Sequence, residues 1–71
     1  MPRPTYRVRV RSRRRRVHLT APFAEFGDAN RWAIGYCRVG NCSAVVVAST
    51  GIESAAYRGD AEGRVWPVEV N

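Results

Sequence analysis

The chain has 71 residues, a formal net charge of +6 and an apolar fraction of 45%. So short a chain buries only about 60% of the surface its unfolded form exposes, which allows one small domain and excludes a second domain or an extensive core. The apolar fraction excludes a wholly disordered chain, and the longest uninterrupted apolar run, Ala44 to Ala48, falls far short of the roughly 20 residues of a bilayer-crossing helix.

The charge is unevenly placed. Up to residue 24 there are eight arginines and no acid, and after it four arginines and six acids, so a head of +8 precedes a body of −2. That asymmetry points to a polyanionic partner for the head. None of the basic residues is lysine. A GC-rich coding sequence explains this most simply, yet every basic contact is then a guanidinium, whose planar fork grips phosphate through two parallel hydrogen bonds.

Met1 to Thr5, with Pro2 and Pro4, reads as a flexible arm ahead of a single β-rich domain over residues 6–71. The acid-free start has neither the amphipathic helix of a transit peptide nor an apolar signal region, so a cytoplasmic, intracellular location is expected. Tyr6, Val8 and Val10 alternate with Arg7, Arg9 and Arg11, while Val17 and Leu19 alternate with Arg16, His18 and Thr20. This predicts two half-buried strands in a basic hairpin over residues 6–21. A four-residue loop at Ser12 to Arg15 sets Val10 opposite Val17, Val8 opposite Leu19 and Tyr6 opposite Ala21. The same register collects Arg7, Arg9, Arg11, Arg16 and His18 on the other face, with Arg13, Arg14 and Arg15 at the tip. Arg11 then opposes Arg16, a like-charge pair that costs stability unless a counter-charge is bound.

Thr20 to Gly27 reads as a connector, with Phe23 and Phe26 on one helical turn that Gly27 ends. Trp32–Val39 and Cys42–Thr50 predict a second hairpin across Gly40-Asn41, where glycine in first place suits a type II′ turn. Both faces of that hairpin are apolar, which marks it as central. The small-residue face, centred on Ala44 and Val46, can receive a helix or a second subunit and is the candidate homodimer surface. Thr50-Gly51-Ile52-Glu53 has capping-box spacing and Gly59 the place of a helix-ending glycine. A short helix from Gly51 to Arg58 is predicted, with an irregular strand or loop as its alternative. Gly59 to Gly63 is a loop, and Val65, Trp66, Val68 and Val70 form a last strand that Pro67 confines to an edge or a bulge. The expected fold class is mainly β or α+β: two hairpins, a C-terminal edge strand and one short helix at about 51–58. Trp32, Trp66, Tyr36, Phe23 and Phe26 are expected in the core, and a tryptophan left exposed would favour a protein interface instead.

The basic hairpin is the strongest functional signal. A two-stranded ribbon fits the major groove of DNA, where arginine reads guanine or clamps phosphate. The expected partner is therefore nucleic acid, DNA or RNA, held by Arg7, Arg9, Arg11, Arg13, Arg14, Arg15, Arg16 and His18. The alternative is a small regulator or inhibitor that docks its basic hairpin and exposed aromatics on an acidic or nucleic-acid-binding protein. Tyr6 and His18 could stack on unpaired bases, although the register turns Tyr6 to the core. Cys37 and Cys42 lie across the predicted turn and read as two buried, reduced thiols. A zinc site would need four ligands, and His18 is the sole obvious third unless a dimer pairs two Cys-Cys sets. No metal or cofactor is expected. No spacing joins a nucleophile to a base, and Glu25 and Asp28 read as solvated turn acids, so no enzyme activity is expected. Zinc-finger spacing, the aromatic motifs of RNA-recognition sheets, a GXXG loop and dinucleotide or Walker signatures are all absent.

Overall fold

The computed structural model describes residues 3–12, 16–40 and 42–70. In chain order these form β1 (Tyr6–Arg11), β2 (Val17–Leu19), α1 (Phe26–Gly40), β3 (Ser43–Ala48), β4 (Glu53–Gly59) and β5 (Val65–Val68). The strands make one antiparallel sheet in the order β2-β1-β3-β4-β5, and α1 packs on one face of it. The class is α+β: hairpins β1–β2 and β3–β4, a C-terminal edge strand β5, and one helix. Thr5 of the N-terminal arm is tied to β3's end, accepting a backbone hydrogen bond from Ser49 at 2.8 Å and donating one to its hydroxyl at 3.1 Å.

The helix is not where the sequence pattern predicts it. Residues 32–39 are helical rather than extended, so the hairpin across Gly40-Asn41 does not form; Asn41 itself lies outside the described residues. Two periods compete in this segment. Trp32, Ile34 and Tyr36 alternate as in a strand, but Ala29, Ala33 and Cys37 recur every fourth residue, and it is this small stripe that is fully buried. It lies on Val8 and Val10 of β1 and Ala44 and Val46 of β3. Asp28 in the first turn and Arg38 in the last complement the helix dipole. The face centred on Ala44 and Val46 is therefore covered by α1, which removes it as a homodimer surface.

Gly51 to Arg58 is a strand and not a helix. Gly51 has φ +93°, outside the helical region, and closes a three-residue hairpin loop with Ser49 and Thr50, in which the Ala48 N–H donates to the Ile52 carbonyl at 2.8 Å. What looked like a capping box is a β-turn. β3 and β4 then pair from Ser43↔Arg58 to Val47↔Glu53, with an irregularity between Val46 and Val47.

The β1–β2 register is also displaced by one residue from the expected one. Val10 pairs with His18, Arg11 with Val17 and Arg9 with Leu19, and Ser12 exchanges hydrogen bonds with Arg16. A slip of one residue sends every β2 side chain to the opposite face. Val17 and Leu19 join the arginine face, where they stand opposite Arg11 and Arg9. Arg11 no longer opposes Arg16, so the expected like-charge pair is avoided.

Small side chains make the core. Its fully buried members are Val8, Val10, Ala29, Ala33, Cys37, Ala44 and Val46, while Phe23, Tyr36 and Tyr57 pack around them half-buried and Trp32, Trp66 and Phe26 are exposed. The aromatics rim the core instead of filling it, because a close helix leaves them no room beneath it. Closest approach is at Gly59, the last residue of β4: a Cβ there would stand 2.0 Å from the Cys37 carbonyl oxygen. Gly59 is thus required by helix docking and does not end a helix. Gly59→Ala should destabilise the protein by about 1–3 kcal/mol or more, as overpacking does. Gly35, in α1 with open space at its Cβ position, supplies the control, since Gly35→Ala should stabilise by about 0.8–1 kcal/mol. Urea denaturation of both variants measures the contrast.

Candidate functional site

The second face of the sheet carries no covering layer among the described residues. One row across it, from β2 to β5, reads Val17, Arg11, Ser43, Arg58 and Trp66, and the next reads Leu19, Arg9, Val45, Ala56 and Val68. Arg7 extends the β1 column opposite Val47. Alternation sets Arg7, Arg9 and Arg11 about 7 Å apart along one strand, and β3 separates that column from Arg58. Aliphatic residues thus space the guanidiniums, which limits like-charge repulsion while keeping them on one surface.

The arginines differ in how they are paired. Arg9 donates to the Glu53 carboxylate at 2.6 Å, both half-buried. Among the described residues, no carboxylate lies within ion-pair distance of Arg7, Arg11, Arg16 or Arg58. A shallow hollow of about 220 Å³ opens between Arg9, Arg11, Val17, Ser43 and Val45. Two arginines, two valines and a serine thus line it together.

Trp66 stands directly opposite Arg58 and is 43% exposed. Its position depends on the β4–β5 loop, where the Asp60 carboxylate accepts from the backbone N–H groups of Arg64 and Glu62 and from the Arg64 Nε. The Arg64 backbone N–H, reinforced by the guanidinium of the same residue, holds the Asp60 carboxyl below its ordinary pKa. Sequence reasoning missed Trp66 and Arg58 as site residues because it put the first in the core and the second at a helix end. Strand alternation around Pro67, with Trp66 and Val68 on one side, was the signal for Trp66.

Of the residues expected to bind, Arg7, Arg9 and Arg11 share the open face, and Arg16 is exposed beside Ser12. Arg13, Arg14 and Arg15 lie outside the described residues. His18 is on the opposite face from the arginines, edge-on to Tyr36 with ring centroids 6.3 Å apart, because of the register shift. β1 is flanked by both β2 and β3 and is not half of a free two-stranded ribbon.

Cys37, in α1, and Cys42, before β3, are both buried and unbonded. Burial pushes the Cys37 thiol up to about 12, with the neighbouring Cys42 adding to the effect. Burial raises Cys42 as well. Both thiols lie beneath the surface of the folded chain. Among the described residues no three His, Cys, Asp or Glu side chains converge, so His18 does not complete a site with the cysteines. Glu25 faces Arg3 at 3.9 Å and Asp28 pairs with Arg31.

No family model matches the chain, and no curated protein or solved structure does. Among the described residues no helix is long and apolar enough to cross a membrane.

Because Cys37 holds its proton more tightly when folded, the stability it contributes is complete below the ordinary thiol value of 9.0 and is lost as pH rises toward about 12. Denaturation midpoints should therefore fall as pH rises through that window. Cys37→Ala should show a weaker fall over the same range.

Proposed function

We propose that this protein binds nucleic acid, using the uncovered sheet face and the arginine-rich hairpin that borders it. The observation that carries the proposal is the placement of Arg7, Arg11 and Arg58, unpaired among the described residues, on the one broad surface that α1 leaves open. Phosphate is the natural ligand for such a surface: each guanidinium can form two charge-assisted hydrogen bonds to it, and neutralising phosphates releases condensed counterions. Arg9 is already paired with Glu53 and contributes more to positioning than to charge. Binding carries no catalytic step, and it belongs inside the cell, where nucleic acid is found and where the two thiols stay reduced.

Val17 and Leu19, at 50% and 53% exposure on the same face, favour a second use of it. An acidic partner protein with apolar contacts could cover the same residues. Fluorescence anisotropy of labelled oligonucleotides across a salt series separates the two. The unaltered chain should bind with an affinity that falls steeply as salt rises, and replacing Arg7, Arg11 and Arg58 with serine should make the log–log slope shallower by about 2–3. Glu53→Gln should steepen it by about one as Arg9 is released. An unchanged slope in the triple variant would remove the sheet face from the mechanism. Failure to bind any nucleic acid at low salt would transfer the surface to an acidic protein.

A further inference from the structure

We infer that the ligand of the open face is an unpaired nucleic-acid strand, laid across the sheet from β1 toward β5 with one base stacked on Trp66. The inference rests on the nucleic-acid assignment above and narrows it to one class of ligand.

Sheet width gives the first reason. Strands lie about 4.8 Å apart, so five of them span about 19 Å, whereas the major groove of B-DNA is about 12 Å wide. Arg7, Arg9 and Arg11 stand on β1, with β2 on one side and β3 on the other, and the flanking strands keep them from entering a groove. A duplex could meet this surface only along its outer phosphates.

The chemistry of the floor gives the second. Val45 and Val47 on β3 lie between the β1 arginines and β4, where Ala56 neighbours Arg58, and these three have nothing to offer a phosphate or a sugar. A duplex hides its base faces, so it would leave this floor and Trp66 uncovered. An unpaired strand presents charged backbone and flat apolar bases together, and the face presents their complements in alternation.

The row Arg11, Ser43, Arg58, Trp66 orders these parts. Arg11 and Arg58 are two strands apart, about 10 Å, and Trp66 is one strand farther on. Guanidiniums therefore stand on the approach to an exposed indole at the sheet edge, with the Ser43 hydroxyl between them as a donor or acceptor. Phosphates at Arg11 and Arg58 deliver a base to Trp66. The stacking tolerates any base, since each has a π-face.

The test uses the full chain and one oligonucleotide sequence in three forms: single-stranded DNA, single-stranded RNA and duplex DNA. At one salt concentration, at least one single strand should bind about tenfold or more tightly than the duplex, and the DNA and RNA arms identify the preferred sugar. Trp66→Ala should weaken single-strand binding by about 5- to 150-fold, the loss of one stacked base, and leave duplex binding unchanged. Trp66→Phe should restore most of the loss. Circular dichroism confirms that each variant is folded. In Trp32→Phe, Trp66 is the remaining tryptophan of the two in the chain, and its fluorescence should be quenched by the single strand. If a folded Trp66→Ala protein binds single strands normally, if that quenching is missing, or if duplex binds as tightly as either strand, the inference is overturned and the broader nucleic-acid assignment stands. If none of the three oligonucleotides binds at low salt, both fall.

Discussion

The close approach of α1 to the sheet is the constraint on which the rest of the structure depends. Ala29, Ala33 and Cys37 on the helix meet Val8, Val10, Ala44 and Val46 on the strands, and at Gly59 the helix backbone comes so near that no Cβ fits. Packing this tight lets a core of small residues exclude water without large side chains. It also sends the aromatics to the perimeter, where Trp32 stacks on Tyr36 with ring centroids 5.1 Å apart and Phe23 and Phe26 flank Tyr6 and Trp32. The two thiols sit inside this contact, and their raised proton affinity follows from the same exclusion of water.

One helix covers one face. A sheet usually buries its apolar side against another layer, and α1 is the one helix among the described residues. The uncovered face must therefore be compatible with water without being covered. Here arginines alternate with valine and leucine across the face, and the aliphatic residues keep the charges apart. A surface satisfying that requirement is both basic and partly apolar, and those are the properties a single-stranded polyanion with flat bases would recognise. Structural necessity and the proposed function use the same side chains.

Part of this was legible in the sequence. Strict alternation identified β1 and the face of Arg7, Arg9 and Arg11, and the valine run identified β3 as a central strand buried on its small side. Pro67 marked β5 as an edge. The misread segments were those where two local patterns coexisted. Trp32 to Val39 satisfies a strand period in its large residues and a helix period in its small ones, and the small ones prevailed because they alone fit beneath a close helix. Thr50-Gly51 satisfies a cap and a turn equally well, and pairing of β4 with both β3 and β5 selected the turn. In β2 the apolar residues were counted as core, whereas an edge strand outside the helix footprint has no core to reach. His18 consequently left the arginine face.

The sequence by itself determined the charge asymmetry, the single small domain, a β-rich class and the arginine column on β1, because each follows from composition or from a period of two over a few residues. Tertiary structure alone decided which face of the sheet was open, that Arg58 and Trp66 stand on it with Arg11, and that Glu53 neutralises Arg9. Those placements arise from contacts between residues far apart in the chain, such as Arg11 with Ser43 and, through β3, with Arg58, or Arg9 with Glu53, and from Trp66 reaching its row through β4. Local periodicity carries no information about which strand will become a neighbour; that is settled by where a helix with a small-residue stripe can lie down.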